Sequence, residues 1–305
     1  MVSDRVHRQP RLGAVLCTYR RPGELAEMLR ALRSQTKAID RLVVVDNAGD
    51  PEVERLCRES LVECQAEYVA SADNIGPAGA FRTGLSLIQS GMDDDDLVVL
   101  LDDDDPPQNP DTLEQLYRAA CSLGADPAFA GVGGRGGRLL CGRITRVPEP
   151  GGPRAQRCDH LHGGFQPIYR VAACRDVAPF EPDFFWGFEE LEFGRRLVAA
   201  GWKLYAWSPV EESSPRPPKR AGGAFHLRSP TWRDYYRHRN LLVVLIRERD
   251  WCGVVFTVLG RLVAKPLLFL LIRPSVAIAN LRINGRAMAD SVRRPLPDRR
   301  DLVGR

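Results

Sequence analysis

A chain of 305 residues that is 44% hydrophobic and 27% charged has the makeup of an ordinary globular protein, with enough length for one large or two modest domains. Its net charge of +4 hides an asymmetry: residues 1–213 carry 24 basic and 33 acidic side chains, residues 214–305 carry 19 and 6, so an acidic body precedes a basic arm suited to an anionic partner such as a membrane surface or nucleic acid. The eight cysteines are scattered, with no Cys-x-x-Cys pair. That argues for reduced thiols in the cytoplasm and against a disulfide frame or a zinc site.

In chain order, MVSDRVHRQPR lacks the apolar core of a signal peptide. Leu12 to Cys17 predicts a first strand and Thr18-Tyr19-Arg20-Arg21-Pro22 a turn. Leu25, Met28, Leu29 and Leu32 recur as the core stripe of a helix. Leu42 to Val45 predicts a second strand ending in Asp46-Asn47, and Pro51 suits the first turn of a helix. Tyr68 to Ala70 is a short third strand, and Asn74 to Leu85 opens a third helix through three glycines. Leu97 to Leu101 is a fourth strand, buried on both faces by its uninterrupted apolar run. Pro110 starts the next helix. This alternation predicts an α/β fold, a mostly parallel sheet covered by helices on both faces. No Gly-x-Gly-x-x-Gly turn follows the first strand, which argues against a dinucleotide site.

Farther on, residues 131–153 are rich in Gly, Arg and Pro and read as loop or edge structure. Gly163 to Arg170 reads as a strand passing under the site. Asp183 to Phe193 leads into a helix closed by Gly201, and Trp202 to Trp207 is a further strand. Ser213 to Gly223 is Pro, Gly and charge, a linker before His226. Trp232 to Arg249 is a helix with Tyr235, Tyr236, Arg239 and Asn240. Residues 251–272 form an apolar helix interrupted by Arg261, Lys265 and Pro266, short of a span of ~20 apolar residues.

Five groups carry chemistry. Asp102 to Asp105 follow the fourth strand, at the end of an open α/β sheet where ligands bind. They form either a solvated turn or a site in which Asp102 and Asp104 share a hard cation, Mg²⁺ or Mn²⁺, with substrate phosphates. Asp46 either caps the following helix or accepts a hydrogen bond from a pyrimidine imide. The glycines after Asn74 serve either tight packing or a diphosphate at a helix N-terminus. Glu189, Glu190 and Glu192 either align with a helix dipole or supply a general base, beside Phe184, Phe185, Trp186 and Phe188 as core or as an apolar wall for a sugar. His226 is either a surface residue or a ligand arriving on a hinged segment.

In sequence order these pieces resemble the family-2 inverting glycosyltransferases of the GT-A fold. The resemblance runs through Cys17-Thr18-Tyr19-Arg20-Arg21-Pro22, Val45-Asp46-Asn47, the Asn74–Gly84 turn, the Asp-x-Asp of Leu101-Asp102-Asp103-Asp104, and Phe184-Phe185 with Glu189-Glu190-Leu191-Glu192 before an Arg-rich helix. It covers roughly residues 12–245. The subgroup most like it is the bacterial galactofuranosyltransferases and their rhamnosyltransferase relatives, whose glycine turn keeps its frame here at Asn74, Gly76, Gly79, Phe81 and Gly84, with Pro77 and Ala80 in place of two glycines.

The resemblance implies a GT-A catalytic domain over residues 1–230. Its nucleotide-sugar half covers about 11–125 and its acceptor half about 126–230. A C-terminal helical, membrane-associating region follows over 231–305. It also implies roles. Asp46 binds the pyrimidine base. Thr18, Arg20, Asn74, Gly76, Arg82, Asp102 and Asp103 bind the sugar nucleotide. Asp102, Asp104 and His226 hold Mg²⁺ or Mn²⁺. Glu190 is the base, with Glu189 as its alternate, and Trp186 and Glu192 face the acceptor. The family more often has Asp where Glu190 stands, one methylene shorter. No Gln-x-x-Arg-Trp is present, which implies non-processive transfer.

The expected activity is therefore transfer of a galactofuranose- or rhamnose-type sugar from a UDP- or dTDP-sugar to a glycan, glycolipid or small-molecule hydroxyl. The expected location is the cytoplasmic face of the inner membrane, with no nucleic acid partner, because the apolar helix beside the basic tail suits anionic lipid. Two other readings compete. A sugar-nucleotide pyrophosphorylase needs a Gly-rich basic loop after the first strand, which is absent, and a non-catalytic membrane-associated scaffold needs no donor binding. A haloacid-type phosphatase is disfavoured by Pro106.

Overall fold

The computed structural model describes residues 8–60, 65–148, 153–212 and 228–293. The first half follows the predicted alternation: β1 (Leu12–Thr18), α1 (Pro22–Arg33), β2 (Arg41–Asp46), α2 (Pro51–Ser60), β3 (Gln65–Ala70), α3 (Gly76–Gln89), β4 (Leu97–Asp102) and α4 (Thr112–Leu123). Successive residues of these strands point to opposite faces, and both faces of β1, β2 and β4 are buried, while β3 lies half-exposed at the sheet edge. Val15, Val43, Val45, Val98 and Leu100 join Phe81, Leu85 and Ile88 of α3 in one core. Leu12, Ala14, Leu16, Leu42, Val44, Val99 and Leu101 join Leu25, Met28 and Leu29 of α1 and Leu113 and Leu116 of α4 in the other.

The second half is where expectation and structure part. Residues 131–147, read as loop or edge structure, are mostly strand. β5 (Phe129–Gly133) is a fully buried central strand, and β6 (Gly136–Leu140) and β7 (Arg143–Val147) form an antiparallel hairpin. After β8 (Ala155–Cys158) and β9 (His160–Leu161), residues Gly163–Phe165 make a single 3₁₀ turn, so the strand expected from Gly163 shrinks to β10 (Ile168–Arg170). Then come α5 (Val171–Asp176), α6 (Glu189–Ala199), β11 (Lys203–Trp207) and α7 (Ser208–Glu212). The main sheet has eight strands in the order β3-β2-β1-β4-β10-β5-β11-β8, and β7-β6-β9 form a second, small sheet. β10 is antiparallel to both neighbours, β4 and β5.

At the C-terminal end, α8 (Trp232–Arg247) opens with a capping box between Thr231 and Asp234. It pairs with α11 (Pro274–Ser291) through Tyr235 Oη donating to Asp290 at 2.8 Å and a 2.9 Å contact between His238 Nδ1 and Asn284 Oδ1. Between them α9 (Trp251–Val255) continues through a π-helical stretch, Phe256–Ala264, into α10 (Lys265–Leu268). This run, Trp251–Leu268, is 18 residues with a mean hydropathy of 1.5 and is only 22% buried. Leu268, Leu271 and Ile272 stand out in solvent.

Candidate active site

The parallel register sets the site. Thr18 pairs with Asp46 and Cys17 with Asp102, so the carboxyl ends of β1, β2 and β4 lie side by side. The chain leaving β4 turns at once, with Asp105 N–H donating to the Asp102 carbonyl at 3.3 Å and Gln166 Nε2 donating to the Asp105 carbonyl at 2.8 Å. Asp103 is buried and takes hydrogen bonds from Thr18 Oγ1 at 2.8 Å and Arg21 Nη1 at 3.2 Å. The same Arg21 nitrogen reaches half-exposed Asp104 at 2.6 Å. These residues form one wall of a cleft of about 340 Å³, also lined by Cys17, Tyr19, Asn47, Asn74, Gly76 and Pro77. Burial, then the charges of Glu190 and Asp104, push the Asp102 carboxyl well above its ordinary range.

The opposite wall is the segment between β10 and α6. Phe185, Gly187 and Phe188 all adopt positive φ (55°, 78° and 67°), a conformation costly for the two phenylalanines. Helix α8 holds it there. Asn240 Nδ2 donates to the carbonyls of Phe184 (2.8 Å), Trp186 (3.1 Å) and Gly187 (2.6 Å), and Arg239 donates to the Asp183 carbonyl at 2.8 Å. Gly76 lets α3 meet this segment. It has φ +68°, and a Cβ there would lie 2.2 Å from the Phe185 carbonyl oxygen. Phe185, Trp186, Trp232 and Arg233 complete the cleft, with the Arg233 guanidinium 5.3 Å from the Trp186 ring centre.

Glu189 and Glu190 begin α6, and their two carboxylates part company. Glu189 lines the cleft, and its buried Oε2 has no hydrogen-bond partner among the described residues. Glu190 turns toward Gly163, whose N–H donates to Oε1, while Oε2 lies 3.9 Å from His162 Nδ1. A Cβ at residue 163 would stand 2.3 Å from Glu190 Oε1 and 2.9 Å from Asp102 Oδ2, so glycine there lets two carboxylates converge. Burial lifts Glu189 to about 7, with the Asp102 charge adding to the rise. Burial, reinforced by the Glu189 charge, lifts Glu190 to about 8.

Several predicted residues are elsewhere. Asp46 is fully buried and does not line the cleft. Its oxygens accept from Ala48 N–H (2.8 Å), Asp50 N–H (2.7 Å) and Tyr68 Oη (2.9 Å), so it ties down the loop before α2, while Asp50 Oδ1 takes the first-turn Glu52 N–H of that helix at 2.9 Å. The diphosphate cradle at α3 is not formed: Asn74 Oδ1 takes the Gly76 N–H at 2.9 Å, the Phe185 carbonyl takes that of Ala78, and Pro77 has none. Arg20 has φ +55° and lies exposed beside the Tyr19 ring, and Arg21 enters the cleft instead. Arg82 is exposed and donates to the Phe180 carbonyl at 3.3 Å, away from the cleft. Glu192 is buried in ion pairs with Arg196 (2.7 Å) and Arg247 (3.2 Å) and does not line the cleft. His226 lies outside the described residues. Thr18, Asn74, Gly76, Asp102, Asp103, Asp104, Trp186 and Glu189 all line the cleft.

Sequence reasoning missed Arg21, Gly163, Trp232 and Arg233. Arg21 carried a signal, an arginine just before the Pro22 that starts a helix, but its neighbour Arg20 competed for the role. Gly163 and Arg233 announce nothing locally, because their importance comes from chain segments far away.

The family model for glycosyl transferase family 2 matches residues 14–166, half of the chain, spanning both the strand ends and the Asp102–Asp104 turn. The chain belongs to glycosyl transferase family 2. A 74-residue stretch is 42% identical to galactofuranosyltransferase GlfT1 of Mycobacterium tuberculosis strain H37Rv, covering 24% of this chain and 24% of that protein. The match thus spans about a quarter of the relative's length. Two solved structures share the fold. Mannosyltransferase PcManGT from Pyrobaculum calidifontis, in complex with GDP-Man and Mn²⁺, has a TM-score of 0.55 at 18% identity, covering 93% of this chain and 75% of that one. S. aureus TarS 1–349 in complex with UDP-GlcNAc has a TM-score of 0.56 at 14% identity, covering 92% and 80%.

For this family-2 chain the predicted α/β architecture, a largely parallel sheet with helices on both faces and a helical C-terminal segment, is the observed one. The family match ends at residue 166. Helix α8 therefore lies beyond it, yet α8 supplies Arg233 to the cleft and the Asn240 clamp to its wall.

Proposed function

We propose that this chain is a metal-dependent inverting glycosyltransferase that moves a galactofuranose- or rhamnose-type sugar from a UDP- or dTDP-sugar to a hydroxyl of a glycan, glycolipid or small molecule, one transfer at a time. The observation that carries this reading is the convergence of Asp102 and Glu190 at Gly163. It joins the acidic end of β4, the donor side, to a carboxylate of raised proton affinity at the start of α6, next to Glu189 of the cleft but outside the cleft's own lining. Glu190 fits the base. One oxygen is anchored by the Gly163 N–H, and the other is left to take the acceptor hydroxyl's proton as the oxygen attacks the anomeric carbon. The bond from that carbon to the diphosphate breaks on the opposite side, which inverts the configuration. Glu189, with its unpartnered buried oxygen in the cleft, suits a hydroxyl of the donor.

The donor set fits a divalent cation. Among the described residues no three His, Cys, Asp or Glu side chains form a complete cation cage. A Mg²⁺-type ion, however, takes one or two carboxylates and completes its shell with substrate phosphates and water. Asp102 and Asp104 would hold it, and it would neutralise charge developing on the leaving diphosphate. Arg21 offsets the charge of Asp103 and Asp104, and Arg233 stands at the rim for the same phosphates. The exposed apolar run Trp251–Leu268 with Arg261, Lys265 and Arg273 supports binding to the cytoplasmic face of an anionic membrane. Calorimetric titration of UDP and dTDP with and without Mn²⁺ tests the donor half of this reading. Metal-dependent binding that is weakened by Asp104→Ala but kept in Glu190→Gln is expected. Binding indifferent to metal would contradict it.

A further inference from the structure

Outside the cleft, two cysteines from distant parts of the chain meet. Cys141 sits at the tip of the β6–β7 hairpin and Cys252 at the start of α9. Both are exposed and free, and Cys252 stands close enough to raise the proton affinity of the Cys141 thiol. The meeting is built by their neighbours. Each cysteine precedes a glycine, and the two glycines pack backbone to backbone. A Cβ on Gly142 would lie 2.8 Å from the Gly253 carbonyl oxygen, and one on Gly253 would lie 2.6 Å from the Gly142 nitrogen. Asp250 Oδ2 ties the two segments by accepting from Gly142 N–H at 3.1 Å, while Oδ1 accepts from Gly253 N–H at 2.8 Å. Gly142 also has φ +68°, which places the turn. The other cysteines among the described residues differ. Cys17, Cys57, Cys158 and Cys174 are buried, and Cys121 is exposed on α4 in a different region of the fold.

We infer that Cys141 and Cys252 are a thiol–disulfide site, a pair that closes to an intramolecular disulfide when a small disulfide oxidant such as oxidised glutathione is present. One thiolate attacks the oxidant's sulfur, forming a mixed disulfide and expelling one thiolate. The second cysteine thiolate attacks the protein-side sulfur and expels the other. Two protein thiols lose two electrons and two protons, and the oxidant becomes two thiols. The bond ties the hairpin of the small sheet to the helix that opens the exposed apolar run. Both sulfurs are accessible and already adjacent, so the second step outruns capture by a further oxidant molecule by roughly tenfold or more.

The test uses the full-length protein, reduced, freed of reductant, exposed to oxidised glutathione and then alkylated. After trypsin digestion without reductant, mass spectrometry is expected to find Leu139–Arg143 joined to Asp250–Arg261, two hydrogens lighter than the separate peptides. Cys121 should carry glutathione or alkyl. In Cys141→Ser and in Cys252→Ser the remaining cysteine should carry glutathione, with no cross-link. Separate glutathione adducts on Cys141 and Cys252 in the unsubstituted protein would overturn the inference. So would cross-links that pair either one with Cys121.

Discussion

Glu190 is a carboxylate that the fold makes reluctant to ionise and yet anchors for proton uptake. Replacing it with Gln keeps an acceptor for the Gly163 N–H and removes the base. Transfer should fall by roughly 10²–10⁴, the usual worth of a positioned base, while metal-dependent UDP affinity stays within twofold. Glu189→Gln should instead weaken donor binding, because its unpartnered oxygen faces the cleft. The reverse pattern in kinetics and calorimetry would move the base to Glu189. With Glu190 lifted to about 8, kcat/KM should climb with pH as the base ionises and level off above about 8.

The same shift has a stability sign. A carboxyl whose proton affinity is raised by folding stabilises the fold while protonated. That contribution is whole below its ordinary value near 4.5 and is lost as pH rises through about 8. Glu190→Gln should therefore raise Tm clearly at pH 9, where the buried carboxylate is ionised in both states, and much less at pH 5. Calorimetric scans at the two pH values check this, and a mutant destabilised at pH 9 would count against it.

At the level of elements, α8 does for the Asp183–Phe188 segment what the segment's own sequence cannot. Two phenylalanines at positive φ persist because one amide spans three carbonyls. Asn240→Ala should leave those buried carbonyls short of a donor, at a cost of ~1–3 kcal/mol. It should also lower kcat and raise KM together as the Trp186 wall loosens. A thermal melt and steady-state kinetics measure both. Legibility also divides by element. β1, β2 and β4 were plain because their runs are apolar on both faces and alternate with amphipathic helices, and only the last half of β3 was legible because Gln65 and Glu67 stand on an exposed edge strand. β5 to β7 were hidden: five-residue strands of Gly, Arg and small residues carry no period that outweighs their turn-like composition. Gly163 to Arg170 misled because a tight turn and a three-residue strand together mimic one longer strand.

Within the site, what could be read was the chemistry of Asp102–Asp104 and the Glu189–Glu190 pair, since acids after an apolar strand and acids opening a helix are conspicuous. What could not be read was orientation. Whether Asp46 caps its own loop, whether Arg20 or Arg21 turns inward, and whether Glu192 meets Arg196 or a substrate depend on contacts made by chain far away. In the case of the α3 glycines, tight packing is the alternative adopted, and Asp46 ties down its own loop rather than capping α2.

Across the whole molecule, charge and apolar exposure are both segregated. The acidic cleft opens in the strand-end region of the sheet, and the basic, apolar surface belongs to the C-terminal helices, with Leu271 97% exposed. Leu268→Glu combined with Leu271→Glu should reduce sedimentation with anionic vesicles severalfold and leave UDP binding unchanged, because neither residue lines the cleft. Equal vesicle binding by the double mutant and the parent would count against a membrane-facing helix.

The most direct measurement follows the reaction itself. The protein is incubated with UDP-galactofuranose or dTDP-rhamnose, Mn²⁺ and a panel of acceptor glycans. The released nucleotide is identified, and the new linkage is read by NMR, for the unsubstituted protein and for Glu190→Gln. The account predicts release of nucleoside diphosphate with inverted anomeric configuration, lost in Glu190→Gln. Retained configuration, or near-normal turnover in Glu190→Gln, would contradict it.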